Sequence, residues 1–177
     1  THAFVYLTNE TLCGKARNEP ATAKVSDVSC PECQVLIDEG LEKGQYQVNK
    51  EGFLVLSSNY IENLYVVYTE NVERENDDDR NYNSKFSYVT AKRPANPNYS
   101  LVDVNFPVDV GDKVFISWVT FSEGSTLGMN RGIFEAVGAF KTKEEAEASL
   151  QGKEEEYGGD YFGGELESAN VEEVTVK

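Results

Sequence analysis

Hydrophobic and polar positions along the chain change rhythm twice. Between Cys30 and Gly44 the apolar residues Val35, Leu36, Ile37 and Leu41 form one short run, with Pro31 ahead of them and Gly44 behind. Proline suits a first helical turn because it has no amide hydrogen to leave unpaired, and glycine ends one, so the pattern predicts a short helix. Residues 44–51 are polar and read as a link. From Gly52 the period falls toward two, which predicts strands over residues 53–56, 63–69 and 85–91. In the last of these Phe86, Tyr88 and Thr90 share one side. Residues 73–83 are almost wholly polar and read as a loop. Three prolines between Arg93 and Pro107 predict an extended connection without regular structure.

After a turn at residues 108–112 comes the strongest strand, residues 113–121. Phe115, Val119 and Phe121 alternate there with Val114, Ile116 and Trp118. Both faces are apolar, which predicts a central strand covered on each side. Residues 122–132 read as a long hairpin loop and 133–140 as the return strand. Thr142 and Glu145 have the spacing of a capping box, which predicts a helix to about Gln151, stopped by Gly152. A glycine-rich stretch, 158–164, precedes an edge-strand pattern at 171–176. The fold class expected is α+β: a small N-terminal zinc-binding module, residues 1–44, then a mainly antiparallel β-sheet domain, residues 52–177, with one helix packed on it. No internal repeat is apparent.

Composition narrows the function classes. At 177 residues, 40% of them hydrophobic, the chain can bury a core, and no apolar run approaches the roughly 18–20 residues that cross a bilayer. The opening residues lack a basic stretch followed by a long apolar one, so no secretory leader and a cytoplasmic setting are expected. Thirty-one acids against sixteen bases leave a net charge of -15. Phosphate contacts dominate nucleic-acid affinity, so direct nucleic-acid binding is not expected of so strong an anion.

The scarcest residues carry the clearest chemistry. The single histidine and all three cysteines, His2, Cys13, Cys30 and Cys33, fall within the first 33 positions. Four nitrogen and sulfur ligands are what tetrahedral structural zinc takes, and Cys30-Pro31-Glu32-Cys33 matches half of such a site. Gly14, after Cys13, lets backbone amides approach a thiolate closely. A Cys-x-x-Cys pair also suits a redox dithiol, and a lone cysteine is often a small buried hydrophobe. The redox reading lacks a βαβ context and leaves His2 and Cys13 without a role. One structural zinc ion is the cofactor expected, and a filled coordination shell leaves no open position for catalysis.

Thr1-His2-Ala3, Thr11-Leu12-Cys13-Gly14 and Val28-Ser29-Cys30-Pro31-Glu32-Cys33 together resemble the small His-Cys-Cys-Cys zinc modules of tailed-phage and actinobacterial proteins of undefined activity. The likeness covers about the first 40 residues and implies a structural zinc module. Residues 114–150 resemble a second module of uncharacterised tailed-phage proteins, a strand, a Ser-x-Gly loop, a strand ending Val-Gly-x-Phe and a helix with Glu-Glu-Ala. Ser125 and Leu127 stand where that module usually has an aspartate and an aromatic. These resemblances imply a phage-encoded protein working in the host cytoplasm.

Three further chemistries have candidate residues. Gly124, Ser125, Thr126, Gly128 and Arg131 could cradle a nucleotide or another anion through amides, hydroxyls and a guanidinium, although the segment lacks a P-loop pattern and reads equally as a hairpin turn. The acids cluster at 77–79, 144–145 and 154–156, where solvent would hold them, so no carboxylate pair or nucleophile triad is expected and the protein is not expected to be an enzyme. From Glu144 onward eleven acids face two lysines, nine of the fifteen excess negative charges. Such a segment steers toward basic surfaces. The function expected is a zinc-stabilised protein-binding accessory factor that engages a host protein, for instance to inhibit a nucleic-acid enzyme or a defence system. The alternative is a small-ligand binder acting through Gly124–Arg131.

Overall fold

The computed structural model describes residues 2–3, 11–14, 21–58, 60–74, 76, 78–125, 128–157 and 164–177. The fold is α+β, with strands in antiparallel and mixed sheets. Contacts divide the chain into two units, residues 1–62 with 105–109, and residues 63–104 with 110–177.

In the first unit, β1 (His2–Ala3) pairs in parallel with β2 (Ala21–Thr22), and α1 (Pro31–Glu42) precedes an antiparallel hairpin of β3 (Tyr46–Val48) and β4 (Leu54–Leu56). The helix forms where the sequence predicts it. Pro31 begins it, and Cys33, Ile37 and Gly40 recur at the helical period on its buried face. Its end is a Schellman motif: Gly44 takes φ +72, its amide donates to Leu41 O, and the Gln45 amide donates to Gly40 O at 2.8 Å. Residues 44–51, read from sequence as a link, thus cap the helix and supply β3. Gly40 admits the Tyr46 ring, since a Cβ there would lie 2.1 Å from Cδ2 of that ring. Ala3, Val28, Cys30, Cys33, Ile37 and Leu54 make the core of this unit.

In the second unit, a three-stranded sheet has the order β8 (Lys85–Thr90), β5 (Asn63–Thr69), β9 (Tyr99–Asp103). A five-stranded sheet has the order β12 (Glu165–Thr175), β10 (Lys113–Ser125), β11 (Gly128–Phe140), β7 (Arg80–Asn81), β6 (Glu73–Arg74). As its pattern requires, β10 is covered on both faces. On one, Trp118 stacks on Phe134 of β11, which stacks on Tyr68 of β5 at 4.5 Å. On the other lie α2 (Lys143–Ser149), whose Ser149 Oγ is 2.8 Å from Ser117 Oγ, and α3 (Lys153–Tyr157), whose Tyr157 packs on Phe121. Val114, Ile116 and Val119 of β10 are fully buried between these layers. The capping box at Thr142 and Glu145 is present as its spacing predicts.

Three further expectations change. The proline-rich segment contains β9, because Pro94, Pro97 and Pro107 flank those five residues and none interrupts their ladder with β5. The polar loop at 73–83 carries two short strands, β6 and β7. The long hairpin loop at 122–132 is mostly ladder, with Glu123 opposite Asn130 and Gly124 opposite Met129. A bulge between Phe121 and Glu123 lets the strands continue through residues whose glycine and serine content reads as loop. The edge pattern at 171–176 belongs to the longer β12, an edge of its sheet.

Candidate metal centre

Cys13 lies in a tight turn, in which the Gly14 amide donates to Thr11 O at 3.0 Å and Gly14 takes φ +70. Cys30 is the N-cap of α1, and Cys33 is on the first turn of that helix, facing the core. The ladder between β1 and β2 and the bond from the Leu12 amide to Ala3 O bring the turn to the helix start. As a result the sulfurs of Cys13, Cys30 and Cys33 all lie within 4.8 Å of one another and could hold a metal ion. None of the three forms a disulfide. Cys33 is wholly buried, Cys30 nearly so, and Cys13 half-buried.

Burial pushes the Cys33 thiol up to about 11, and hydrogen bonds with the Cys13 and Cys30 thiols push in the same direction. The backbone amides of Ala3 and Cys13 donate to Cys33 Sγ and pull the other way. Three thiolates this close would repel strongly unless a cation lay among them, and amides aimed at sulfur are the donors that orient and tune thiolate ligands. The donor set therefore suits a soft, thiophilic divalent ion. The sequence singles out all three cysteines. The amides at Ala3 and Cys13 leave no trace in residue type, because every residue except proline has one.

Of the fourth expected ligand, His2, the backbone is placed in β1 beside Ala3, and its side chain lies outside the described atoms. Thr126 and Leu127 of the Gly-rich segment are outside the described residues, as is the side chain of Ser125. What is described beside it is a backbone amide of β11 that meets the protein's own carboxylate. The Met129 amide donates to Asp79 Oδ1 at 2.8 Å, while the Asn76 side-chain carbonyl accepts from the amides of Asp78 and Asp79. Gly128 has no room for a side chain, since a Cβ would lie 2.1 Å from Asp78 O. Arg131 is exposed on β11, and its charge helps hold the Asp79 carboxyl ionised. This pair uses the Met129 amide, next to the segment expected to cradle an anion, and its carboxylate, Asp79, is one that residue order places only within a solvated acidic run.

That pair makes a pH prediction. The Met129 amide, then the Asn76 side-chain amide, hold the Asp79 carboxyl below the ordinary carboxylate range. A lowered folded-state pKa means that the stabilisation is complete above the unfolded value and is lost as pH falls through the folded one. The Met129 amide proton resonance is expected to titrate in that acidic window, and Asp79→Asn to abolish the titration. A resonance that stays flat in the native protein removes the pair.

Compared with known proteins, the chain matches no family model, no curated protein and no solved structure.

Proposed function

We propose that the chain is a protein-binding accessory factor whose N-terminal unit is held together by one structural zinc ion, with Cys13, Cys30, Cys33 and His2 as ligands. The convergence of three sulfurs within 4.8 Å carries this reading. Support for His2 comes from its neighbour: the Ala3 amide reaches Cys33 Sγ, so the backbone of His2 runs beside the cluster. Three thiolates and one imidazole complete a tetrahedron and leave no position for water, so the ion's work is structural and the protein acts by binding. In the phage setting that the resemblance implies, the partner is a host nucleic-acid enzyme or defence protein.

The acidic C-terminal segment supplies the electrostatics of that encounter. Glu154, Glu155 and Glu156 are exposed on α3, and Glu172 on β12. Zinc analysis of the purified protein is expected to give one ion per chain. A partner captured from host lysate at low salt is expected to be basic, to be released as salt rises, and to be lost when Glu154, Glu155 and Glu172 are changed to glutamine. Capture indifferent to both salt and these changes would sink the electrostatic half of the proposal.

A further inference from the structure

In the second unit, β12 is an outer strand of the five-stranded sheet. Its eleven residues make it the longest such edge: β6, at the other side of that sheet, has two, and β8 and β9, which flank the three-stranded sheet, have six and five. In an antiparallel ladder alternate residues turn their amide and carbonyl toward the neighbouring strand, and those between turn them away. The end of the strand fixes which are which. Val176 bonds toward the approach to β10, through Asp112 O and the Gly111 amide, and Lys177 bonds the other way, to Val89 and Ala91. Counting back by twos, Val174, Glu172 and Asn170 bond to β10, opposite Val114, Ile116 and Trp118. The amides and carbonyls of Glu173, Val171 and Ala169 therefore point out of the sheet.

Among the described residues no strand pairs with that outer row, and the backbone of β8 reaches only Lys177, beyond its end. A long open edge is a template for a further strand, and proteins blunt such edges with proline, lysine or a covering segment. β12 contains neither proline nor lysine. Its only charged residues are Glu165, Glu167, Glu172 and Glu173, all exposed, and Lys113 pairs with the last of them. Two copies of β12 laid edge to edge would bring these acids together, and like charges on neighbouring strands repel. The edge is thus closed to a second copy and open to a strand of opposite charge. Glu154, Glu155 and Glu156, exposed on α3 against the same sheet, add to the negative field.

We propose that β12 adds an extended, basic segment of a partner protein along its outer edge, a mode of contact that rests on the protein-binding reading above. The outward amides and carbonyls of Ala169, Val171 and Glu173 supply the ladder, and the glutamates of the strand select lysine or arginine on the incoming one. Main-chain bonds give such a pairing its affinity, and side chains give it specificity.

The test follows amide hydrogen exchange of the metal-loaded full chain with three probes: a short peptide of alternating lysine and valine, its twin of alternating glutamate and valine, and a lysine–valine peptide with proline at its centre. The first is expected to slow exchange at Ala169, Val171 and Glu173, with little change at Asn170, Glu172 and Val174, whose amides are already bonded. The other two are expected to bind about tenfold more weakly or less. Ala169→Pro removes one outward donor, keeps every charge, and is expected to weaken the first peptide by a similar factor; the exchange pattern of the native chain decides the matter if that variant does not fold. Exchange unaltered under peptide excess, or changes confined to α3, overturns strand addition, while salt-sensitive capture from lysate still measures the protein-binding reading. Protection of the outer amides that needs no peptide and grows with protein concentration makes a second copy the occupant and also overturns the proposal. Protection by the basic peptide alongside failed capture sinks the protein-binding reading and leaves the edge site standing.

Discussion

Replacing Cys30 by serine is expected to release the metal and unfold the first unit, while the β-sheet signals of the second unit persist. The size of the effect follows from the coupling of binding and folding. An apparent free energy of about 10–16 kcal/mol accompanies structural zinc in small modules, which exceeds the stability of a unit this size without its ion. The core around the cluster is small, essentially Ala3, Val28, Cys30, Cys33, Ile37 and Leu54 with their half-buried neighbours. Two of those six residues are the proposed ligands themselves, so removing one thiolate opens the core as well as the coordination shell. Metal content, amide dispersion of residues 21–58 and the response to a chelator should change together. Cys30→Ser protein that keeps both a full complement of zinc and a folded first unit would refute the ligand assignment. His2→Ala separates the fourth ligand from the three sulfurs, because a residual, weaker metal affinity is expected from three thiolates alone.

The second large effect concerns the opposite end of the chain. Val176 is 1% exposed, its amide donates to Asp112 O at 2.9 Å, and its carbonyl accepts from the Gly111 amide at 2.8 Å. The next residue joins the other sheet: the Lys177 amide donates to Val89 O, and Lys177 O accepts from the Ala91 amide and the Thr90 hydroxyl. The last two residues therefore tie the five-stranded sheet to β8 of the three-stranded one. Val176→Asp places an unpaired carboxylate in that seam. It is expected to destabilise the second unit by about 4 kcal/mol or more, because Val176 is buried and a carboxylate there loses its hydration. Lys177→Ala is the control. It keeps the backbone bonds and removes only the ammonium over the Tyr88 ring, a contact worth about 1 kcal/mol. Equal effects from the two changes would mean that the seam is not a buried joint.

Much of this architecture is legible in residue order. Helix α1 follows from Pro31, the apolar run and Gly44, and the cap of α2 from Thr142 and Glu145, because both depend on neighbours three or four positions away. The doubly covered character of β10 is written in its two apolar faces. The three cysteines that could hold a metal ion stand out by scarcity and spacing alone, since a chain of this size has little reason to keep its only sulfhydryls in one short stretch.

What the sequence could not decide involves partners distant along the chain. Strand β9 is visible only once β5 offers it a ladder, for the prolines around it dominate any local reading. Residues 44–51 join the first unit because Tyr46 fits against Gly40, a contact between a ring and a missing side chain that no periodicity encodes. The Met129 amide meets the Asp79 carboxylate across a separation of fifty residues. Local order determined the helix, the central strand and the identity of the sulfur donors. Tertiary structure determined which backbone amides reach those sulfurs and which carboxylate meets the Met129 amide, because burial and pairing are properties of neighbours in space.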